Sequence, residues 1–235
     1  MQPTAPALDA ITPFGGFPAA ALRFLAELAA HNRRDWFARH RAEYESLLLQ
    51  PARALVLELE PRLKRLSPGL RAEPRVGGSI LRLHNDARFA RDALFKDHLE
   101  LWFWEGEGSS AAHPGFFVTL SPSSFAVGAG LRRLPPERLP GYRRAVDDPR
   151  SGVGLARSLA RLERGGWRVE GRQLRRVPAP YGRDHPRAAL LRRTGLWAES
   201  RSEPPEELFA LELPRLLERR FRALLPLHRW LLGLS

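Results

Sequence analysis

The chain has no cysteine and one methionine in 235 residues, and only two of its basic residues, Lys64 and Lys96, are lysines. Without cysteine there can be no disulfide, no thiolate nucleophile and no cysteine-ligated zinc. No apolar run approaches the ~20 residues that a membrane helix needs, so no membrane partner is expected. The opening MQPTAPALDAITPF shows no basic region followed by an apolar core. No secretory signal is therefore expected, and a cytoplasmic location is the default. Nothing in the chain names a cofactor.

What is present is an ordinary globular composition, 43% hydrophobic and 27% charged, which sets disorder aside. The net charge of +12 invites a nucleic-acid reading. Against it, the nearly exclusive use of arginine amid abundant Ala, Leu, Pro and Gly has the look of coding bias in a GC-rich genome, which raises the isoelectric point without selecting a partner. The basic charge gathers over residues 62–96 and 157–193, while 199–218 is net acidic. A nucleic-acid partner is admitted but not favoured, and the sequence does not set an oligomeric state.

Residues 1–13 read as a flexible arm and 14–235 as a single α+β domain. Pro18 suits a first helical turn, and Leu22, Phe24, Leu25 and Leu28 form an apolar stripe at helical spacing. Asn32 can cap the next helix, on which Trp36, His40 and Tyr44 share one face, a pattern that favours core packing over a stacking platform. Pro51 is expected to restart or kink that helix, and Pro68-Gly69 to end it. The period then changes. Ile80 to His84 alternates like a strand, as do Leu99 to Trp104, Phe116 to Leu120 and Phe125 to Ala129, and the last three predict an antiparallel meander. Gly128 and Gly130 lack the rest of a dinucleotide fingerprint, so close packing explains them better. Short helices follow, then a hairpin over Trp167 to Leu174, a basic loop, and closing helical segments broken at Pro214 and Pro226. The expected architecture is an antiparallel sheet or meander in the centre, flanked by N- and C-terminal helices.

Between Ser79 and Trp104 lies the densest mixture of charge with apolar and aromatic residues, SILRLHNDARFARDALFKDHLELWFW. Loops held by a rigid scaffold tend to carry binding and catalytic groups. A metal set of His84, Asp86 and His98 is geometrically feasible but disfavoured by the neighbouring arginines. Ser79, Ser121, Ser123 and Ser124 sit in no nucleophile elbow. A second basic stretch holds Arg175, Arg176, Tyr181, Arg183 and His185, which could suit phosphate or single-stranded nucleic acid, although a solvated loop with its tyrosine on the core is the commoner arrangement.

The segments FGGFPAAALRFLAELAAHNRRDWFARHRAEYE, RLHNDARFARDALFK, PGFFVTLSPSSFAVGAGL, RRVPAPYGRDHPRAALLRR and FRALLPLHRWL occur in this order from about Phe14 to Leu232. Together they resemble the bacterial and fungal domain-of-unknown-function 2461 family. The resemblance implies one α+β domain and no assigned role. Arg82, Asp86, Arg88, Phe89, Asp92 and Lys96 match the family's central motif. Asn85 stands where the family usually has arginine, and Ala93-Leu94-Phe95-Lys96 where it usually has Lys-Ser/Thr-Pro-Tyr-Lys.

The matched polar set is two carboxylates among three cations. If they converge, Arg82, Arg88 and Lys96 form a ligand-binding pocket for a phosphate-like anion, with Asp86 and Asp92 in the catalytic positions as base or orienting groups. Interlocked salt bridges that merely fix the loop account for the same residues more economically. Three functional readings stay open. The first is a protein that binds a small phosphate-bearing ligand at this loop. The second is a hydrolase or transferase acting on a phosphoryl or acyl group with Asp86 as base. The third is a nucleic-acid-associated protein using the basic 172–193 stretch.

Overall fold

A computed structural model describes residues 13–85, 94–108 and 110–234. It places helices before and after a five-stranded antiparallel sheet, the α+β class expected from the sequence. Helix α1 (Ala20–Ala30) buries Ala21, Phe24, Leu25 and Leu28. The next helix breaks at His40 into α2 (Arg34–Arg39) and α3 (Arg41–Tyr44). The expected ring stripe survives the break. Trp36 stacks on His40 at 4.0 Å, and both Trp36 and Tyr44 lean on Phe24. These rings pack the core. A π-helical turn, Glu45–Leu49, then leads into α4 (Gln50–Leu66). Its extra residue shifts the hydrogen bonds just before Pro51, which has no N–H, so the helix runs past the proline instead of restarting.

The meander is β1 (Leu99–Trp104), β2 (Gly115–Leu120) and β3 (Phe125–Leu131). After it come α5 (Leu139–Asp147), α6 (Ser151–Arg164), β4 (Arg168–Glu170), α7 (Ala188–Leu191), β5 (Leu196–Ser202) and α8 (Leu213–Leu232). The strand order is β1-β2-β3-β5-β4. Register pairs Leu101 with Val118, Val118 with Val127 and Val127 with Ser200, so these residues share the core face. Helix α8 packs there, setting Phe221 against Phe116 and Phe103 at 4.9 and 6.1 Å. The opposite face carries Glu100, Trp102, Trp104 and Phe117. A Cβ at Gly128 would overlap the Phe117 ring, so this glycine serves close packing.

Three expectations are corrected. Ile80 to His84 is no strand: it touches its neighbour only at the bridges Ile80–Leu101 and His84–Phe95. Four residue steps on one side face six on the other, so the ladder slips between them. The Trp167–Leu174 hairpin does not form either. Strand β4 pairs with β5, a strand not foreseen from the sequence, and the chain beyond Gly171 runs along Arg193 and Thr194. Finally, α8 is not broken. Pro214 sits in its first turn and Pro226 on its exposed side, while Leu224, Leu227, His228 and Leu231 stay buried. Their packing outweighs the ~3 kcal/mol that an interior proline costs. Among the described residues no helix is long and apolar enough to cross a membrane.

Candidate functional site

The segments that flank residues 86–93 pair as the base of a short hairpin. Its base is closed by Asn85 N–H to Leu94 O (2.9 Å) and Lys96 N–H to Leu83 O (2.7 Å). The base rests on an aromatic bed, with Phe95 stacked on Phe37 at 4.6 Å and touching His84 at 4.5 Å. Asn32 does not cap α2. Its side-chain amide instead donates to Phe95 O and accepts from Phe95 N, both at 2.8 Å. Below the base, Leu81 N–H bonds Glu100 O and Trp102 N–H bonds Ser79 O, which ties the incoming segment to the edge of β1. Ser79 is fully buried, and its Oγ accepts from Glu73 N–H. That is a structural role.

Of the residues singled out from the sequence, Arg82 and Lys96 lie on opposite sides of this hairpin base. Asp86, Arg88 and Asp92 lie outside the described residues. Arg82 is exposed and has no ion pair among the described residues. Lys96 turns inward, its Nζ 3.7 Å from Glu100 Oε2. His84 packs on aromatic rings, and His98 pairs with Asp97 at 2.8 Å.

Glu100 is the residue the sequence reading missed. Only 3% of its side chain is exposed, and it receives two cations, Lys96 on Oε2 and Arg132 Nη2 on Oε1 at 2.5 Å. The second contact is one of charge without hydrogen-bond alignment, since Oε1 makes no hydrogen bond. The Arg132 guanidinium also lies over the Phe117 ring at 5.0 Å, and Trp102 stacks on the same ring at 6.1 Å. A lone buried carboxylate costs several kcal/mol of desolvation, which two facing cations offset. Both cations are more exposed than the carboxylate, at 24% and 49%, so the cluster shows surplus positive charge outward. A signal for Glu100 existed: strand parity puts it on one face with Trp102 and Trp104. Arg132 had none, because it comes from the turn after β3, 32 positions further along the chain.

The second basic stretch behaves differently. Arg175, Arg176 and Arg183 are exposed, while Tyr181 packs against the core. Arg187 donates to Val146 O (2.6 Å) and Asp147 O (2.7 Å), closing the C-terminal end of α5, and His185 meets Asp147 at 3.1 Å. On α8, His228 is fully buried against Phe116, with Nε2 2.9 Å from Glu105 Oε2 and Nδ1 unpartnered. Burial lowers its pKa, and the Glu105 hydrogen bond opposes this in part. Burial likewise raises the pKa of the Tyr142 hydroxyl, which donates to Leu190 O at 2.9 Å.

A family model described as "Conserved hypothetical protein (DUF2461)" matches residues 20–230. The chain belongs to DUF2461. Its match runs from the first residue of α1 almost to the end of α8, so the hairpin, the Glu100 cluster and the basic stretch all fall inside the DUF2461 region. The DUF2461 description names no reaction. A search of curated proteins finds no match.

Proposed function

We propose that the protein binds an anionic, phosphate-bearing ligand at the central hairpin. The observation that supports this is the Glu100 cluster, in which two cations share one buried carboxylate and leave a net positive charge on the outgoing limb of the hairpin, while Arg82 on the incoming limb is exposed. Arg82 and Lys96 contact the anion in this reading, and Arg132 joins them from the turn just after β3. Arg88, Asp86 and Asp92, on the part of the loop outside the described residues, complete the set. Arginine supplies a planar fork of donors and lysine a point charge, a combination suited to phosphate oxygens.

The test is a thermal-shift screen at low salt against nucleotides, sugar phosphates, short oligonucleotides and divalent metals. A small phosphate that raises Tm in the parent chain, and loses its effect in Arg82→Ala and Lys96→Ala, supports the proposal. A shift that persists in both variants, or none with any small phosphate, overturns it. A response to oligonucleotides alone, falling steeply with salt, would instead assign the basic 172–193 stretch.

A further inference from the structure

A cavity of about 380 Å³ lies where the end of β3, the start of α5 and the segment after β4 meet. It is lined by Arg133, Leu134, Pro136, Leu139, Arg172 and Thr194. None of these belongs to the hairpin set proposed above. The volume falls in the range of small-molecule sites, ~300–1,000 Å³.

The two charged residues that line it are both cations. Arg133 and Arg172 are exposed and make no ion pair among the described residues. Two further arginines lie near lining residues in the chain without lining the cavity themselves. Arg143 follows Leu139 by one helical turn on α5, and its Nε is buried without a partner. Arg193 precedes Thr194, and its Nε and Nη1 are likewise buried and unpartnered. Buried donors without partners are rare in native proteins, and each calls for an explanation. Arg133 and Arg172, the two guanidiniums of the lining itself, favour an anion in the cavity.

The backbone beneath the cavity is stiff. Thr194 N–H bonds Arg172 O at 2.7 Å, and Leu134 N–H bonds Thr194 O at 2.8 Å, locking the three lining segments together. A Cβ at Gly195 would overlap Arg132 O, so only glycine lets these chains approach so closely. Arg133, Arg172 and Thr194 are thereby presented from a rigid frame. Leu134, Pro136 and Leu139 supply the apolar part of the lining.

We propose that this cavity binds a small organic oxyanion, a carboxylate or phosphate monoester. Arg133 and Arg172 grip the charged end, and the apolar body lies on Leu134, Pro136 and Leu139. A guanidinium offers paired N–H donors to two oxygens at once, which fits either headgroup.

The test is isothermal titration of the full chain at low salt with phenyl phosphate, benzoate, inorganic phosphate and benzyl alcohol. Arg133→Ala, Arg172→Gln and Lys96→Ala are compared with the parent chain, and circular dichroism verifies each fold. Phenyl phosphate or benzoate should bind, inorganic phosphate more weakly and benzyl alcohol not at all. Arg133→Ala and Arg172→Gln should each weaken the aromatic anion about tenfold, which is the effect of losing one charge-assisted contact. Lys96→Ala should leave benzoate binding unchanged, because the hairpin is proposed for phosphate-bearing ligands and benzoate carries no phosphate. The proposal is overturned if no aromatic anion binds, if inorganic phosphate binds as tightly as phenyl phosphate, or if Lys96→Ala abolishes benzoate binding that the arginine variants keep. The Lys96→Ala comparison separates this site from the hairpin, since either can fail without the other.

Discussion

Asn32 holds both backbone groups of Phe95, a residue 63 positions later in the chain. One side-chain amide thus acts as a one-residue strand, fixing the outgoing limb of the charged hairpin to the turn between α1 and α2. Asn32→Ala should cost about 2 kcal/mol, because it leaves a part-buried N–H and C=O unpaired. Urea denaturation measures the loss, and amide exchange should quicken at Phe95 before it does in β2 or β3. Asn32→Asp should not rescue, since its carboxylate would face the Phe95 carbonyl oxygen.

Replacing Glu100 with glutamine should separate stability from ligand binding. The shape is kept, but Lys96 and Arg132 lose their shared counter-charge. Since both cations are partly solvated, the expected loss is only about 1–2 kcal/mol by urea melts. Anion affinity at the hairpin should rise in the same variant, as the competing carboxylate is gone. A Glu100→Gln chain that is both less stable and a weaker phosphate binder would count against the proposed function.

The buried His228 makes stability depend on pH with a definite sign. Its folded pKa lies below the ordinary value of 6.5, so the unfolded chain binds the proton more readily. The contribution is therefore complete above pH 6.5 and is lost as pH falls from there toward the lowered folded value. Melting temperature measured from pH 8 to 5.5 should decline over the acidic part of that range. His228→Phe, which keeps a ring against Phe116, should flatten the decline.

Pro226 lies on the solvent side of an unbroken α8. Pro226→Ala restores a helical N–H at an exposed position and should stabilise the chain by about 1–2 kcal/mol. Helix propensity alone favours alanine by ~3 kcal/mol, less the entropy that proline removes from the unfolded chain. An increase in urea midpoint at unchanged m-value is the expected result.

These residues also show how far the sequence reaches. Strands β1 to β3 are legible because their connections are short and their residues aromatic or apolar. Strand β5 is not. Its partner Leu131 lies 65 positions before Leu196, and its core face runs Leu196, Ala198, Ser200, too small and polar to stand out. Pro226 read as a helix break because local propensity cannot register the burial of the leucines around it. In the site, Arg82 and Lys96 were visible as charges within an apolar run. Glu100 was in plain view, but what gives it meaning is Arg132, which only the folded sheet brings to it.

The two ends of the sheet have a consequence for how the protein behaves among its own copies. An uncovered strand edge is a template for pairing with another chain. Here one end is β1, whose outer Glu100 carbonyl and Trp102 N–H are already taken by Leu81 and Ser79. The other end is β4, three residues long, with Arg168 and Glu170 flanking its single valine. Neither edge offers a second molecule a long apolar strand to extend, so the sheet stops at five strands and resists edge-to-edge aggregation.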